Sequence, residues 1–270
     1  MNIVAVVPAR MASSRFPGKP LADIHGVPMV GHVALRTAMC EALMETYIAT
    51  CDREIMDYAA STGIKAVMTS NTHTRCTDRT AEAMLAIERE LGVRVDIVVM
   101  VQGDEPMVTP GRIDAAVRPL LDDPDLQVTN LMADMAGEEE FEDPAEVKVV
   151  TDLWNNALYF SREPIPSRKK GTPYVPMRKQ VCIIPCRRDF LLEFNTLAET
   201  PLAIIESVDM MPILDNGGRL RMVPINHPPL SVDTPNDFRR VVDLMLDSVV
   251  RLRYTGHTCS WRRHARRDRP

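Results

Sequence analysis

Residues 3–19 read IVAVVPARMASSRFPGK, and this stretch decides the fold. Its first five residues are all apolar, which predicts a strand buried on both faces of a parallel sheet. A loop of small residues with three cations, Arg10, Arg15 and Lys19, follows directly. Small residues let backbone N–H groups approach an anion, and the cations add charge and donors. Because ligands often bind after the first strand of an α/β sheet, we predict a polyphosphate site here. A solvated surface turn is the alternative.

The rest of the first half alternates strands and helices. Apolar patterns predict strands at 47–50, 66–69 and 97–101 and helices at 28–44, 53–62 and 80–91. This βαβ order predicts an α/β fold with a Rossmann-like, doubly wound and mostly parallel sheet.

The middle of the chain has a different pattern, with closely spaced strands. Strands are predicted at 128–134, 147–151, 157–161 and 181–185, with a polar loop at 168–171. They predict a small antiparallel subdomain or dimerisation arm within about residues 128–215. A strand at 219–224 and an amphipathic helix at 235–252 complete a domain over 1–252, and the Arg-rich tail at 253–270 is predicted to be disordered.

Composition excludes several classes of protein. The net charge of −5 over 270 residues gives no general case for nucleic-acid binding. No apolar run reaches the roughly 18–20 residues of a membrane span, and the start does not resemble a leader, so we predict a soluble, cytoplasmic protein. The six cysteines form no C-x-x-C pair, which favours reduced structural thiols over a zinc site.

Two acids are candidate metal ligands. Asp104 follows the predicted strand at 97–101, at the sheet edge where the cationic loop also begins. A carboxylate there can hold Mg²⁺ against phosphate oxygens, although Gln-Gly-Asp could also form an ordinary turn. Asp233 precedes Thr234 and Pro235, so either Asp233 or Thr234 could instead cap the last helix.

The segment 73–79 is a third candidate, because it lies at the start of a predicted helix. Hydroxyl and backbone groups at a helix N-terminus suit a base or a phosphate, and Arg79 could contact either. Alternatively, Asp78 and Arg79 only place charge at the helix start.

Several of these segments resemble one family, the CMP-Kdo synthetases (3-deoxy-manno-octulosonate cytidylyltransferases). The similar segments are 7–21, 101–106, 147–150, 157–162 and 232–235. The resemblance covers roughly residues 1–250. It implies a CTP-dependent and Mg²⁺-dependent nucleotidyltransferase of class EC 2.7.7, with a Rossmann-like sheet and a homodimeric assembly.

The resemblance also implies roles for individual residues. Arg10, Lys19 and Asp104 are the implied catalytic residues, and Asp104 and Asp233 are the implied metal ligands. The implied nucleotide-binding residues are Pro8, Ala9, Arg10, Ser13, Arg15, Lys19, Met68, Thr77, Arg79, Gln102 and Gly103. The implied acceptor-binding residues are Gln102, Arg162, Lys179, Gln180 and Glu206.

The chain departs from the family pattern on the acceptor side. The family's run of His, a variable residue, Gly, Ile and Tyr appears here as Gln180-Val181-Cys182-Ile183-Ile184. The family's stretch resembling Leu-Glu-Gln-Leu-Arg is Val-Asp-Met-Met-Pro at 208–212, and one family glycine is missing from 75–79. Sugar-contacting side chains of the family are therefore absent, whereas the nucleotide half is kept.

These departures lead to a prediction about the acceptor. A pocket with Gln180 and Ile184 would bury sugar hydroxyls without partners, so we predict an atypical acidic acceptor, a small phosphonate such as phosphonoformate. The alternative is 3-deoxy-manno-octulosonate or a related 2-keto sugar acid. Cations suited to a small acid are Arg162, Arg168, Lys169, Arg178 and Lys179, although 168–170 could also be a solvated loop.

Two readings from other classes stay open. The chain could be a non-catalytic CTP sensor, or a uridylyl- or adenylyltransferase that acts on a sugar phosphate. Two acids placed as metal ligands speak against the sensor, because binding alone does not need them.

Overall fold

The computed structural model describes residues 1–13, 15–171, 174–226 and 230–246. In chain order the strands are β1 (Ile3–Ala9), β2 (Asp23–Ile24), β3 (Val27–Pro28), β4 (Glu45–Thr50), β5 (Ala66–Met68), β6 (Ile97–Val101), β7 (Thr129–Asp134), β8 (Lys148–Thr151), β9 (Ala157–Ser161), β10 (Arg178–Val181), β11 (Ile183–Arg187) and β12 (Arg221–Ile225). The helices are α1 (Met29–Thr37), α2 (Arg53–Thr62), α3 (Cys76–Leu91), α4 (Pro110–Asp122), α5 (Glu138–Glu142), α6 (Arg188–Phe194), α7 (Pro201–Glu206), α8 (Met211–Asp215) and α9 (Pro235–Met245), with a 3₁₀ turn at Lys19–Leu21.

The main sheet has the strand order β11-β6-β1-β4-β5. Strands β6, β1, β4 and β5 are parallel to their neighbours, and β11 is antiparallel to β6. The carboxyl ends of the parallel strands therefore meet at one edge, where the loops after β1 and β6 lie side by side. The predicted α/β fold with a mostly parallel sheet is confirmed.

Strand β1 is apolar throughout because both of its faces are covered. Val4 and Val6 belong to the hydrophobic cluster that includes Met84 of α3. Ala5 and Val7 face the opposite cluster, which contains residues of α1, α2 and α4. Burial of every residue of β1 is the reason for its continuous apolar run.

The second sheet has the strand order β12-β7-β10-β8-β9. It is antiparallel except for the pairing of β12 with β7. The chain passes from this sheet to the main sheet at Cys182, between β10 and β11. The Asn130 side-chain amide fixes this crossing, because it donates to the carbonyl oxygens of Val181 at 2.6 Å and Ile183 at 3.3 Å.

Several predicted elements have the predicted bounds, namely the strands at 97–101 and 157–161 and the helix at 53–62. The helix predicted at 28–44 is wrong at its end, since α1 stops at Thr37. The chain turns after Thr37, and the Met44 N–H donates to Ile3 O at 2.7 Å. This bond places the start of β4 beside β1. The single strand predicted at 181–185 is also wrong, because its residues are divided between the two sheets.

The C-terminal prediction is tested only in part. Helix α9 begins at Pro235 as predicted and is described to Met245. The predicted tail at 253–270 lies outside the described residues, so the division of the chain at residue 252 stays a prediction. Across the described ranges, no helix combines the length and the apolar character that a membrane crossing requires.

Candidate active site

The side chain of Lys19 lies at the centre of the candidate site. Its Nζ donates to Asp104 Oδ2 at 3.1 Å and to the Val232 carbonyl oxygen at 2.7 Å. Asp233 Oδ1 lies 3.8 Å from the same nitrogen. Only 12 % of the Lys19 side chain is exposed. The structure thus brings together a cation of the first loop and two acids that are distant in sequence.

Hydrogen bonds hold the first loop in a closed turn. Gly18 has a positive φ of 74°, and its N–H donates to Met11 O at 3.2 Å. The Met11 N–H in turn donates to Asp52 Oδ2, at 2.7 Å, just after β4. A residue with a Cβ would be strained at Gly18, so glycine is required where the chain turns toward Lys19.

The other two loop cations lie nearer the solvent. Arg15 Nη2 pairs with Asp233 Oδ1 at 2.9 Å, and its side chain is 54 % exposed. Arg10 is exposed where β1 ends, and within the described part of the chain it forms no salt bridge. Exposed and unneutralised charge at this edge is what an anionic ligand needs.

Gly103 allows the loop after β6 to approach the first loop. A Cβ at Gly103 would lie 2.8 Å from Pro8 O, which is closer than packed Cβ atoms come, and in ordinary contact with Ala9 Cβ at 3.5 Å. Glycine is therefore the residue that fits beside the end of β1, and this approach brings Asp104 within reach of Lys19.

Asp233 is not the cap of the last helix. Thr234 Oγ1 accepts from Asp237 N–H at 3.3 Å, and the Asp237 carboxylate accepts from Thr234 N–H at 2.8 Å, which forms a capping box. The Asp233 carboxylate is thereby left for Lys19 and Arg15. Burial and the charge of Asp104 raise the pKa of Asp233, so the two acids repel each other.

The donor set fits Mg²⁺. Magnesium prefers carboxylate oxygens and usually takes one or two of them together with waters and substrate phosphates. Asp104 and Asp233 converge on one cationic nitrogen and would supply two such ligands. No group of three or more His, Cys, Asp or Glu side chains that could hold a metal occurs among the described residues. The set therefore fits an ion shared with a phosphate ligand.

Sequence reasoning assigned no role to Glu105 and Ser231, which lie behind this cluster. Glu105 is only 2 % exposed, and its Oε1 accepts from Ser231 Oγ at 2.7 Å. Burial and the neighbouring charge of Asp104 raise the pKa of Glu105 to about 7. The sequence carried no signal for this role, because acidic residues and proline are also common in solvated turns.

The first turn of α3 holds two predicted nucleotide-binding residues, Thr77 and Arg79. Thr77 and Arg79 are buried on the side of α3 that packs on the protein. The Arg79 guanidinium donates to Thr69 Oγ1 and to Ser70 O, so it supports the turn after β5. Thr77 Oγ1 has no hydrogen-bond partner among the described residues, and nucleotide contact by Thr77 and Arg79 stays a prediction. Met68 is 44 % exposed on this turn and can contact a ligand.

The expected acceptor cations are engaged in internal interactions. Lys179 Nζ is held between Glu140 Oε1 at 2.5 Å and Glu146 Oε1 at 3.0 Å, and 3 % of the side chain is exposed. Burial alone would lower the pKa of Lys179, but the two carboxylates raise it. The Lys179 ammonium thus has two acidic partners inside the protein, and acceptor binding by Lys179 stays a prediction.

Arg162 and Glu206 form one structural network. The Arg162 guanidinium donates to the carbonyl oxygens of Glu206 at 2.8 Å, Ser207 at 3.0 Å and Pro144 at 2.9 Å. The Glu206 carboxylate accepts from Tyr159 and from Ser161, both at 3.0 Å, and from the Arg162 N–H. These groups join β9 to α7, and acceptor binding by Arg162 and Glu206 stays a prediction.

The remaining predicted acceptor residues have mixed positions. Gln180 Nε2 donates to Asn130 Oδ1 at 2.6 Å. Gln102 lies two residues before Asp104, and its N–H donates to Cys182 O at 3.1 Å. Its contact with the nucleotide or the acceptor stays a prediction. Arg168 and Arg178 pair with acids near α5 and β7, and Lys169 is exposed.

The fold and the site together define a nucleotidyltransferase. The chain belongs to the cytidylyltransferase family, whose sequence profile matches residues 4–222. It is 41 % identical to the 3-deoxy-manno-octulosonate cytidylyltransferase of Geobacter metallireducens over 253 residues, 90 % of this chain and 97 % of that protein. The Geobacter sulfurreducens protein of the same name is 42 % identical over 90 % of this chain and 99 % of its own length.

A solved structure agrees with these relatives. The CMP:2-keto-3-deoxy-manno-octonic acid synthetase complexed with CTP superposes with a TM-score of 0.83 at 36 % identity, over 91 % of this chain and 98 % of that chain. The predicted family is confirmed. These comparisons give no support to a small phosphonate acceptor or to a non-catalytic sensor, and they leave the predicted homodimer untested.

Proposed function

We propose that this protein transfers CMP from CTP to 3-deoxy-manno-octulosonate, or a related 2-keto sugar acid, and releases pyrophosphate. The observation that carries the proposal is the position of the Lys19 ammonium between Asp104 and Asp233 at the carboxyl edge of the sheet. The names and the coverage of the relatives support the choice of nucleotide and acceptor.

The reaction is an in-line substitution at phosphorus. An oxygen of the acceptor forms a bond to the α-phosphorus of CTP, and the bond from that phosphorus to the β-phosphate bridge breaks. The hydroxyl proton passes to solvent, and pyrophosphate leaves with the bonding electrons. The protein therefore has to position the reactants and to stabilise negative charge.

The first loop supplies the positive charge. Arg10, Arg15 and Lys19 surround the place where the loop reaches the two acids, and they would offset the charge of the triphosphate. Backbone groups of Pro8, Ala9, Ser13, Gln102 and Gly103 line the same edge and would complete the nucleotide site. Exposed Met68 at the end of β5 would contact the base.

Asp104 and Asp233 would hold Mg²⁺. The ion, when bound, neutralises charge on the phosphate oxygens. Between substrates, Lys19 and Arg15 offset the repulsion between the two carboxylates, which keeps the acids close together.

The decisive experiment is a turnover assay with the purified chain, Mg²⁺ and CTP. The acceptor panel contains 3-deoxy-manno-octulosonate, related 2-keto sugar acids and phosphonoformate, and UTP and ATP replace CTP in parallel. We expect pyrophosphate release with CTP and the octulosonate, and a new phosphodiester resonance in ³¹P NMR. Turnover with phosphonoformate alone would overturn the acceptor. CTP binding with no turnover on any acceptor would instead indicate a sensor.

We also propose a homodimer in solution. Leu153, Trp154 and Leu158 lie on the hairpin of β8 and β9 and are 93 %, 71 % and 60 % exposed. Large apolar side chains exposed together on an edge strand and the turn before it are typical of a contact surface. Light scattering that gives the mass of one chain across micromolar concentrations contradicts this assembly.

A further inference from the structure

We propose that Glu105 and Ser231 form a clamp that positions Asp233 against Asp104. The inference rests on the proposed function, because it assumes that the two aspartates share one metal ion. Glu105 and Ser231 are positioning residues, since they act through the aspartates beside them.

Two consecutive residues of the loop before α9, Ser231 and Val232, are tied to the loop that carries Asp104 and to Lys19. Val232 N–H donates to Asp104 O at 2.9 Å, and Val232 O accepts from Lys19. On the side of Val232 away from Asp233, Ser231 Oγ donates to Glu105 Oε1 at 2.7 Å. The segment that leads into Asp233 is therefore fixed at both of its ends.

Because Glu105 is buried, its hydrogen bond with Ser231 contributes to the position of the loop more than to stability. A buried carboxyl group is unfavourable unless it is hydrogen-bonded, and an apolar side chain would fill the space with less desolvation. Glu105 Oε2 has no hydrogen-bond partner among the residues that the structure describes. The Ser231 hydroxyl is thus the contact that gives the Glu105 side chain its direction.

Loss of the clamp has a specific consequence. Without the Ser231 hydroxyl, the backbone bond at Val232 persists, but the loop gains freedom that must be lost again when a metal binds. Side chains that orient metal ligands typically change metal affinity by about 10–100-fold when they are removed. We therefore expect weaker metal binding with little change of fold.

The test measures metal binding directly, with Mn²⁺ as the probe. Free Mn²⁺ is followed by electron paramagnetic resonance while it is titrated, without acceptor, into protein that is in excess over CTP, so that little unbound CTP competes for the ion. For Ser231→Ala we expect about tenfold weaker Mn²⁺ binding, and for the rescue variant Ser231→Thr a value within about twofold of the unchanged protein. Glu105→Gln keeps an acceptor oxygen for Ser231 and should lose less affinity than Ser231→Ala.

A matched control removes a hydroxyl elsewhere. Thr200 caps α7 through Ala203 N–H at 3.3 Å, so Thr200→Ala weakens a helix without touching the site, and its Mn²⁺ affinity should stay unchanged. Equal Mn²⁺ affinity of folded Ser231→Ala and the unchanged protein overturns the clamp alone. Failure of the unchanged protein to bind Mn²⁺ with CTP overturns the metal role, and the clamp with it.

Discussion

The carbonyl oxygen of Pro8 lies 2.8 Å from the position that a Cβ at residue 103 would occupy. Pro8 is in β1 and Gly103 follows β6, so this contact joins two neighbouring parallel strands at their carboxyl ends. The distance between the first loop, which carries Lys19, and Asp104 depends on the absence of that Cβ.

Gly103→Ala is expected to separate these two loops. A methyl group at 2.8 Å from a backbone oxygen forces one segment to move, which costs about 1–3 kcal/mol of unfolding free energy. Turnover should fall about tenfold or more, because Asp104 moves with the loop. Urea unfolding and pyrophosphate release measure the two effects. Gly111→Ala is the control, since its Cβ meets nothing within 4 Å and should stabilise the protein by about 0.4–1 kcal/mol.

Lys19→Met is expected to abolish most of the activity. The variant keeps the aliphatic length of the side chain but removes the ammonium group that both aspartates approach. Loss of one preorganised charge at a reacting phosphate typically lowers turnover by about 10²–10³-fold. Lys65→Met removes an exposed pair with Glu45 and should leave pyrophosphate release unchanged. Turnover of Lys19→Met within a few-fold of the unchanged protein would show that Lys19 is only structural.

Asp233→Asn and Thr234→Ala should separate catalysis from helix capping. Thr234 caps α9, so its replacement should cost about 1 kcal/mol of stability. Asp233 makes no capping contact through its carboxylate, so Asp233→Asn should leave the urea midpoint near its original value while turnover falls sharply. A stability loss in Asp233→Asn as large as that in Thr234→Ala contradicts this division of roles.

The sequence predicted the fold and the main cluster for a physical reason. Strands buried on both faces, such as β1 and β6, need continuous apolar runs, and such runs are visible without any tertiary information. Side chains that follow parallel strands share one edge of the sheet, so the proximity of Lys19 and Asp104 followed from strand order alone.

The surroundings of the predicted acceptor-binding residues could not be derived from the sequence, because charge in a sequence does not show where a side chain points. The sequence predicts that Lys179 is an available cation. Its partner Glu146 lies 33 residues away in sequence, and the two side chains pair only in the folded chain. The apolar run around Cys182 is equally compatible with one strand or two. The hydrogen bonds of Asn130 and the bond from Gln102 N–H to Cys182 O fix the point where the chain changes sheets.

Lys179→Met tests whether this lysine is structural. Removal of the ammonium leaves the partly buried carboxylates of Glu140 and Glu146 without their partner, and the cost should approach the roughly 3–5 kcal/mol of breaking a fully buried pair. We expect a large fall in the urea midpoint at 25 °C. For the fraction of Lys179→Met that remains folded, the apparent KM for the acceptor should be unchanged. A variant with normal stability and a raised KM would instead place Lys179 in the acceptor site.

The stability of the contact between α3 and α6 should depend on pH through Glu88. Its carboxylate accepts from Arg188 Nε at 2.7 Å and Nη2 at 3.0 Å and from Val95 N–H at 2.9 Å, and the hydrogen bonds from Arg188 lower the pKa of Glu88 despite its partial burial. A carboxylate with a lowered pKa stabilises the fold above its unfolded pKa, and this contribution is lost as pH falls through the folded pKa.

At pH 7, Glu88→Gln should therefore unfold with about 1–2 kcal/mol less free energy than the unchanged protein. The difference should shrink as the pH is lowered below the ordinary glutamate value, whereas the exposed pair of Arg53 and Asp57 should give Asp57→Asn almost no effect at either pH. A difference between Glu88→Gln and the unchanged protein that stays constant from pH 7 to pH 3 would show that packing, and not charge, holds this contact.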